Sequence, residues 1–244
     1  MNSHIRRLPQ TDGCGGLWHL TLDNAIDLPD LILASTLHHV GPHSRVYRHA
    51  GPPALLIKLA VPRSRPRDSV RKYFLGQGRR EYDSACKLRA AGLRAPQVYG
   101  WGISLSPVAR FESLLVMEWI RPFNSALTFI RHEADRDRRL AFLYCFADEI
   151  ARLHGHGLIH KDGHFGNFGL YDDRSLIWID NDIRATDGPP TLKAGFVKML
   201  DLLVRTARGA IEADEWRAFY DRLAQALAKW PKARILIDEI QRRG

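Results

Sequence analysis

At 244 residues, with 45% hydrophobic and 26% charged side chains, the chain can bury a core as one large domain or two joined lobes. It holds no apolar run near the roughly 20 residues of a membrane span, and Met1–Pro9 lacks the apolar centre of a secretory signal, so a cytoplasmic protein is expected. A net charge of +9 and a pI near 9.7 favour partners rich in phosphate or carboxylate, while three scattered cysteines (Cys14, Cys86, Cys145) argue against a disulfide framework or zinc site.

Residues 1–16 are polar and Gly-rich and are expected to be loose. Leu31–Leu37, Arg45–His49 and Ala54–Val61 carry apolar or β-branched residues between the turn signals Gly41-Pro42 and Gly51-Pro52-Pro53, which predicts an antiparallel meander. Lys58 interrupts the most apolar of these strands. It either points to solvent or meets a buried anion, because an unpaired buried ammonium is costly.

Residues 62–80 form a basic stretch with Arg63, Arg65, Arg67, Arg71, Lys72, Arg79 and Arg80 against a single Asp68. Its prolines and charge predict a loop, either solvated or docking an acidic substrate or anionic head groups. A helix is predicted from Arg79 to Ala91, stopped by Gly92, with Glu81 in its first turn as a ready ion-pair partner for Lys58.

Strands at Gln97–Ile103 and Ser113–Ile120 follow, and from Arg121 the composition turns helical. Leu140, Leu143, Ala147, Ile150 and His154 recur at helical spacing, which predicts one long helix from Arg136 to His154 ended by Gly155 and Gly157. Residues 184–192 read as loop, and further helices are predicted at Ala194–Arg208, Asp214–Trp230 and the C-terminus. Strands with one helix followed by helices predict an α+β chain of two lobes, 1–120 and 121–244, with a cleft between them.

Chemistry concentrates in residues 158–183. Asp162 stands five residues before Asn167, and Asp180 follows thirteen residues later inside an apolar strand, Ile177-Trp178-Ile179-Asp180. Phosphoryl transfer needs a carboxylate facing the attacking hydroxyl, and an amide and a second carboxylate holding magnesium. The alternative is a pair of polar turns flanking a hairpin, since Asp, Asn and Gly are common turn residues.

In this order of elements the sequence resembles the protein-kinase-like superfamily over residues 36–205. Lys58 matches the strand lysine, Glu81 its helix partner, Val116–Ile120 the adenine-binding hinge, His160-Lys161-Asp162 the catalytic loop, and Asn167 and Asp180 the metal positions. Several features depart from regulated protein kinases. Gly41-Pro42-His43-Ser44-Arg45 stands where a glycine flap is usual, Asp180-Asn181-Asp182 replaces Asp-Phe-Gly, Lys161 replaces an arginine, and no long activation segment fits before Ala194. The H-x-D-x-H-x-x-N form, the Ile-Asp-x-Asp strand, the small size and the basicity are most similar to the lipopolysaccharide kinase family, the WaaP-like Kdo and heptose kinases.

That resemblance implies transfer from ATP, with Mg2+, to a sugar hydroxyl of the lipopolysaccharide inner core at the cytoplasmic face of the inner membrane. Asp162 is then the base, and Asn167 and Asp180 the metal ligands. Lys58 held by Glu81 contacts phosphates, backbone at Glu118 and Ile120 binds adenine, and Ser44 lies in the phosphate turn. His164 either positions acceptor or phosphate or makes a structural hydrogen bond, Asp182 adds a carboxylate or braces the loop, and His160 braces the catalytic loop. The expected partners are ATP, an acidic glycan acceptor and an anionic membrane surface, with nucleic acid not expected. The competing readings are a RIO- or Bud32-like protein kinase, an aminoglycoside- or choline-type kinase, and a nucleotide-binding pseudokinase.

Overall fold

The structure, a computed structural model, describes residues 1–9, 14–62, 73, 76–121, 124–172, 175–179 and 182–242. Two compact units emerge, one of residues 1–86 and 96–119, the other of residues 87–95 and 120–244. Among the described residues no helix is long and apolar enough to cross a membrane.

The first unit is built on an antiparallel sheet of seven strands: β1 (Asn2–Leu8), β2 (Gly16–Leu22), β3 (Thr36–Val40), β4 (Ser44–His49), β5 (Leu55–Ala60), β6 (Val98–Ser104) and β7 (Ser113–Glu118). Their spatial order is β1-β2-β6-β7-β5-β4-β3. Side chains alternate across such a sheet. Tyr47, Leu55, Ile57, Leu59, Leu114 and Val116 therefore join Trp18, Leu20 and Leu22 in one core on one face. Lys58, opposite Val46 in β4 and Leu115 in β7, lies on the other face.

Two expectations for this unit are corrected. The segment expected to be loose holds β1, which pairs with β2 in unbroken register from Asn2↔Leu22 to Leu8↔Gly16. All but one of its residues are exposed, so the strand rests on backbone hydrogen bonds and shows no apolar alternation to read. The strand expected at Leu31–Leu37 is divided. Leu28–Leu33 is a short helix, α1, started by Asp27 with Pro29 in its first turn, and β3 begins only at Thr36.

Helix α2 (Gln77–Ala90) starts earlier than expected, so Glu81 falls in its second turn and the helix dipole does not explain it. It ends as Gly92 predicts. Gly92 takes φ +71°, its N–H bonds the Arg89 carbonyl, and Leu93 N–H bonds that of Leu88. Of the basic stretch, Arg63, Arg65, Arg67, Arg71 and Lys72 lie outside the described residues, while Gln77–Arg80 form the first turn of α2.

The second unit is mainly helical: α3 (Ala126–His132), α4 (Arg136–Gly155), α5 (Pro189–Thr206), α6 (Ala213–Leu227) and α7 (Ile237–Gln241). Asp135 caps α4, its side chain accepting from Asp137 and Arg138 N–H. A box between Glu212 and Glu215 caps α6, and buried Glu215 binds Arg139 of α4 at 2.6 Å. The core is aromatic, with Phe146 against Phe165, Phe168 and Phe219 at 5.1, 4.7 and 6.2 Å. Short strands hold the loops above it: β8 (Asn124–Ser125), β10 (Phe168–Asp172) and β11 (Ser175–Trp178) in one sheet, β9 (Leu158–His160) and β12 (Ile183–Ala185) in another. β12 and the first turns of α5 occupy much of the segment expected to be loop.

Candidate active site

In the first unit, Lys58 Nζ lies 3.0 Å from Glu81 Oε2, and both side chains are largely buried, at 13% and 12% exposure. The second Glu81 oxygen accepts from Gln77 Nε2 at 2.8 Å, so the carboxylate is fixed from both sides. Contact at the start of α2 sets this geometry. Gly78 N–H donates to the buried Ser113 hydroxyl, and a Cβ at Gly78 would stand 2.2 Å from the Leu114 carbonyl oxygen. Only glycine lets the helix lie this close to β7 and bring Glu81 to Lys58.

Sharing the Lys58 face by alternation and register are Val46, Leu56 and Met117, all half-buried. They form an apolar surface next to a cation, the pairing a purine nucleotide needs. The sequence reading missed them, although counting two residues from Lys58, and across to its partner on β4, finds Leu56 and Val46. Ser44 begins β4, and its carbonyl accepts Gly41 N–H at 2.9 Å across the Gly41–His43 turn. At the end of β7, Glu118 N–H donates to the Gln97 carbonyl (2.7 Å), and its carboxylate accepts Gln97 N–H (3.0 Å). That N–H is spent, which restricts Glu118 to its carbonyl in meeting a base edge. Ile120, buried, belongs to the second unit.

In the second unit the loop after β9 is fixed through its backbone. Asp162 N–H donates to His160 Nδ1 at 3.1 Å, so His160 braces the loop as expected. Accepting at Nδ1 puts the imidazole hydrogen on Nε2. The His160 ring itself packs against Phe168 and Trp178, at 6.0 and 5.9 Å. The Asp162 carbonyl accepts from His164 N–H (3.0 Å) and from Asn167 Nδ2 (2.8 Å). Pinned in this way, the Asp162 backbone presents a carboxylate that is 62% exposed.

Asn167 is buried, and its Nδ2 is taken by Asp162. Its amide oxygen, with no hydrogen-bond partner among the described residues, is the hard donor a magnesium ion favours. Asp180 lies outside the described residues. The strand leading to it is anchored, since Ile179 N–H donates to the Asn167 carbonyl at 3.0 Å. The Asp182 carbonyl accepts Lys161 N–H at 3.1 Å, and its carboxylate stands 3.4 Å from Arg184 Nε.

Beneath the loop, Trp178 Nε1–H donates to the Glu149 carboxylate on α4. Burial raises the Glu149 pKa to about 7, against the pull of the Trp178 hydrogen bond and the Arg152 charge. His154, fully buried one turn later, is pushed down to about 4 because desolvation disfavours the imidazolium.

No protein-family model and no curated protein matches the sequence. Among solved structures, one described as WaaP in complex with acyl carrier protein aligns with a TM-score of 0.62 at 18% identity, over 92% of this chain and 97% of that one. The chain has the kinase-like α+β fold of WaaP. Matching solved chains number 1791, so the fold is widely shared and does not by itself choose an acceptor. The likeness to WaaP is one of architecture.

Proposed function

We propose that the chain is an ATP-dependent kinase that phosphorylates a sugar hydroxyl of an acidic glycan, the Kdo or heptose of a lipopolysaccharide inner core. One observation carries this reading: an exposed carboxylate, Asp162, held by its own carbonyl to the Asn167 amide five residues on, in a chain with the WaaP fold. Asp162 orients the acceptor hydroxyl and takes its proton as the bond to phosphorus forms. Lys58, oriented by Glu81, binds the α- and β-phosphates, and Ser44 and its turn cover them. Val46, Leu56 and Met117 receive the base, whose edge is read by backbone at Glu118 and Ile120. Asn167 and Asp180 would hold Mg2+, which supplies neutralisation of phosphate charge when bound.

The acceptor class is supported by the charge of +9, which attracts carboxylates and phosphates and disfavours the cationic aminoglycosides and choline. Such an acceptor is lipid-linked, which places the enzyme at the cytoplasmic face of the inner membrane as a peripheral protein. The test is transfer from labelled ATP to purified lipopolysaccharide, set against aminoglycosides and a basic protein. Transfer to lipopolysaccharide alone is expected, with Asp162→Asn lowering it roughly 10²–10⁴-fold while the fold and ATP binding persist. Transfer to the basic protein instead would make it a protein kinase. A wild-type chain whose melting temperature does not respond to ATP with magnesium would be no kinase.

A further inference from the structure

The imidazole of His164 has two ends, and the structure gives each a different task. Nδ1 accepts Gly166 N–H at 3.1 Å and so caps the 3-10 turn Phe165–Asn167. A ring accepting there carries its hydrogen on Nε2. Nε2 lies 3.7 Å from Asp162 Oδ2. The imidazole lies directly against Gly166, where a Cβ would stand 2.9 Å from its Cε1 and 3.0 Å from its Nδ1. The His164 N–H and carbonyl are also engaged, by the Asp162 carbonyl and Asn167 N–H.

We propose that His164 is the positioning residue for Asp162, its Nε2–H directed at Oδ2 so that Oδ1 is left to receive the acceptor hydroxyl. The inference rests on the phosphotransferase reading and deepens it. Asp162 is 62% exposed, and an exposed carboxylate turns freely about its last bond unless something selects one orientation. At 3.7 Å the N–H attracts without a formed hydrogen bond. Such contacts are commonly long in the free enzyme and tighten once a substrate displaces water. Because the same ring caps the turn that carries Asn167, one histidine sets the base and the metal-facing amide in register.

Two variants separate the two ends of the ring. His164→Asn keeps an acceptor for Gly166 N–H, as asparagine is a good cap, but has nothing at the place of Nε2. His164→Ala removes both. For His164→Asn, kcat is expected to fall roughly ten- to a hundredfold, with KM for ATP and melting temperature unchanged. His164→Ala should also lose ATP affinity and melting temperature. A His164→Asn enzyme with wild-type kcat would overturn the proposal, as would one whose melting temperature falls as far as that of His164→Ala, since the ring would then be a cap alone. Long-range 15N–1H spectra of the imidazole provide a readout without turnover. Nδ1 should be bare, Nε2 protonated, and the Nε2 signal should move in Asp162→Asn. An unmoved signal overturns the proposal, whereas a moved signal in a chain that phosphorylates nothing leaves the pairing standing and removes the kinase reading.

Discussion

Replacing Glu149 by glutamine should change stability little at pH 4.5 and below, and should stabilise the protein increasingly as pH rises from there to 7 and beyond. The carboxyl has a folded pKa of about 7 against 4.5 for the free group, so between those values the folded chain keeps a proton that the unfolded chain has released. The stability this group contributes is therefore full below pH 4.5 and is lost progressively as pH rises from 4.5 through 7. At 1.36 kcal/mol per unit, the 2.5-unit difference sets a ceiling of about 3.4 kcal/mol, and solvent contact of the half-buried residue brings the working figure nearer to 2 kcal/mol. The glutamine side chain would keep an acceptor for Trp178 Nε1–H and carries no titration. His154 has the opposite sign: with a folded pKa of about 4 against 6.5, the unfolded chain binds the proton first, and stability falls as pH drops below 6.5. Between pH 4.5 and 6.5 the two slopes oppose each other, and the wild type should be nearly flat. Urea unfolding at pH 4.5, 5.5, 6.5 and 8 should show Glu149→Gln rising through the acid range and staying level above it, crossing to greater stability than wild type by pH 8. Two parallel curves, offset by the same amount at every pH, would refute the assignment.

Lys58→Met should cost about 3 kcal/mol, because it strands a buried carboxylate, and Lys58→Met with Glu81→Leu should recover most of that while restoring no phosphate transfer. A double variant as unstable as the single one in urea would show that the ion pair is held for stability. Gly78→Ala sets a methyl against the Leu114 backbone, so α2 has to move and take Glu81 with it. Its ATP-dependent thermal shift should shrink, and an unchanged shift would mean that α2 tolerates displacement without loss of nucleotide binding.

Helices α4, α5 and α6 were legible because each buries an apolar stripe, which Leu143, Ala147, Ile150 and His154 mark on α4 in sequence order, whereas the short α3 was not read. β1 was illegible for the complementary reason. Its contribution is a ladder of main-chain hydrogen bonds on an exposed edge, and nothing about His4, Arg6 or Arg7 announces a ladder. α1 was mistaken for strand because Leu31–Leu37 is apolar enough for either state, and the deciding residues, Asp27 and Pro29, stand ahead of the run.

Within the candidate site, the residues proposed to meet phosphate, metal or acceptor are restricted in type by their chemistry, and a spacing of such types can be read without a structure. The residues that hold them are restricted by distance. Glu149 reaches Trp178 across 29 positions, and Gly78 matters only because the Leu114 carbonyl is there to be struck. His164 belongs to both kinds. Its place two residues after Asp162 singled it out, yet either a ligand-facing or a structural role was open, because the choice depends on which nitrogen carries the hydrogen. Gly166 N–H decides that by occupying Nδ1, and the hydrogen then has one place left to go, Nε2, which lies 3.7 Å from the Asp162 carboxylate.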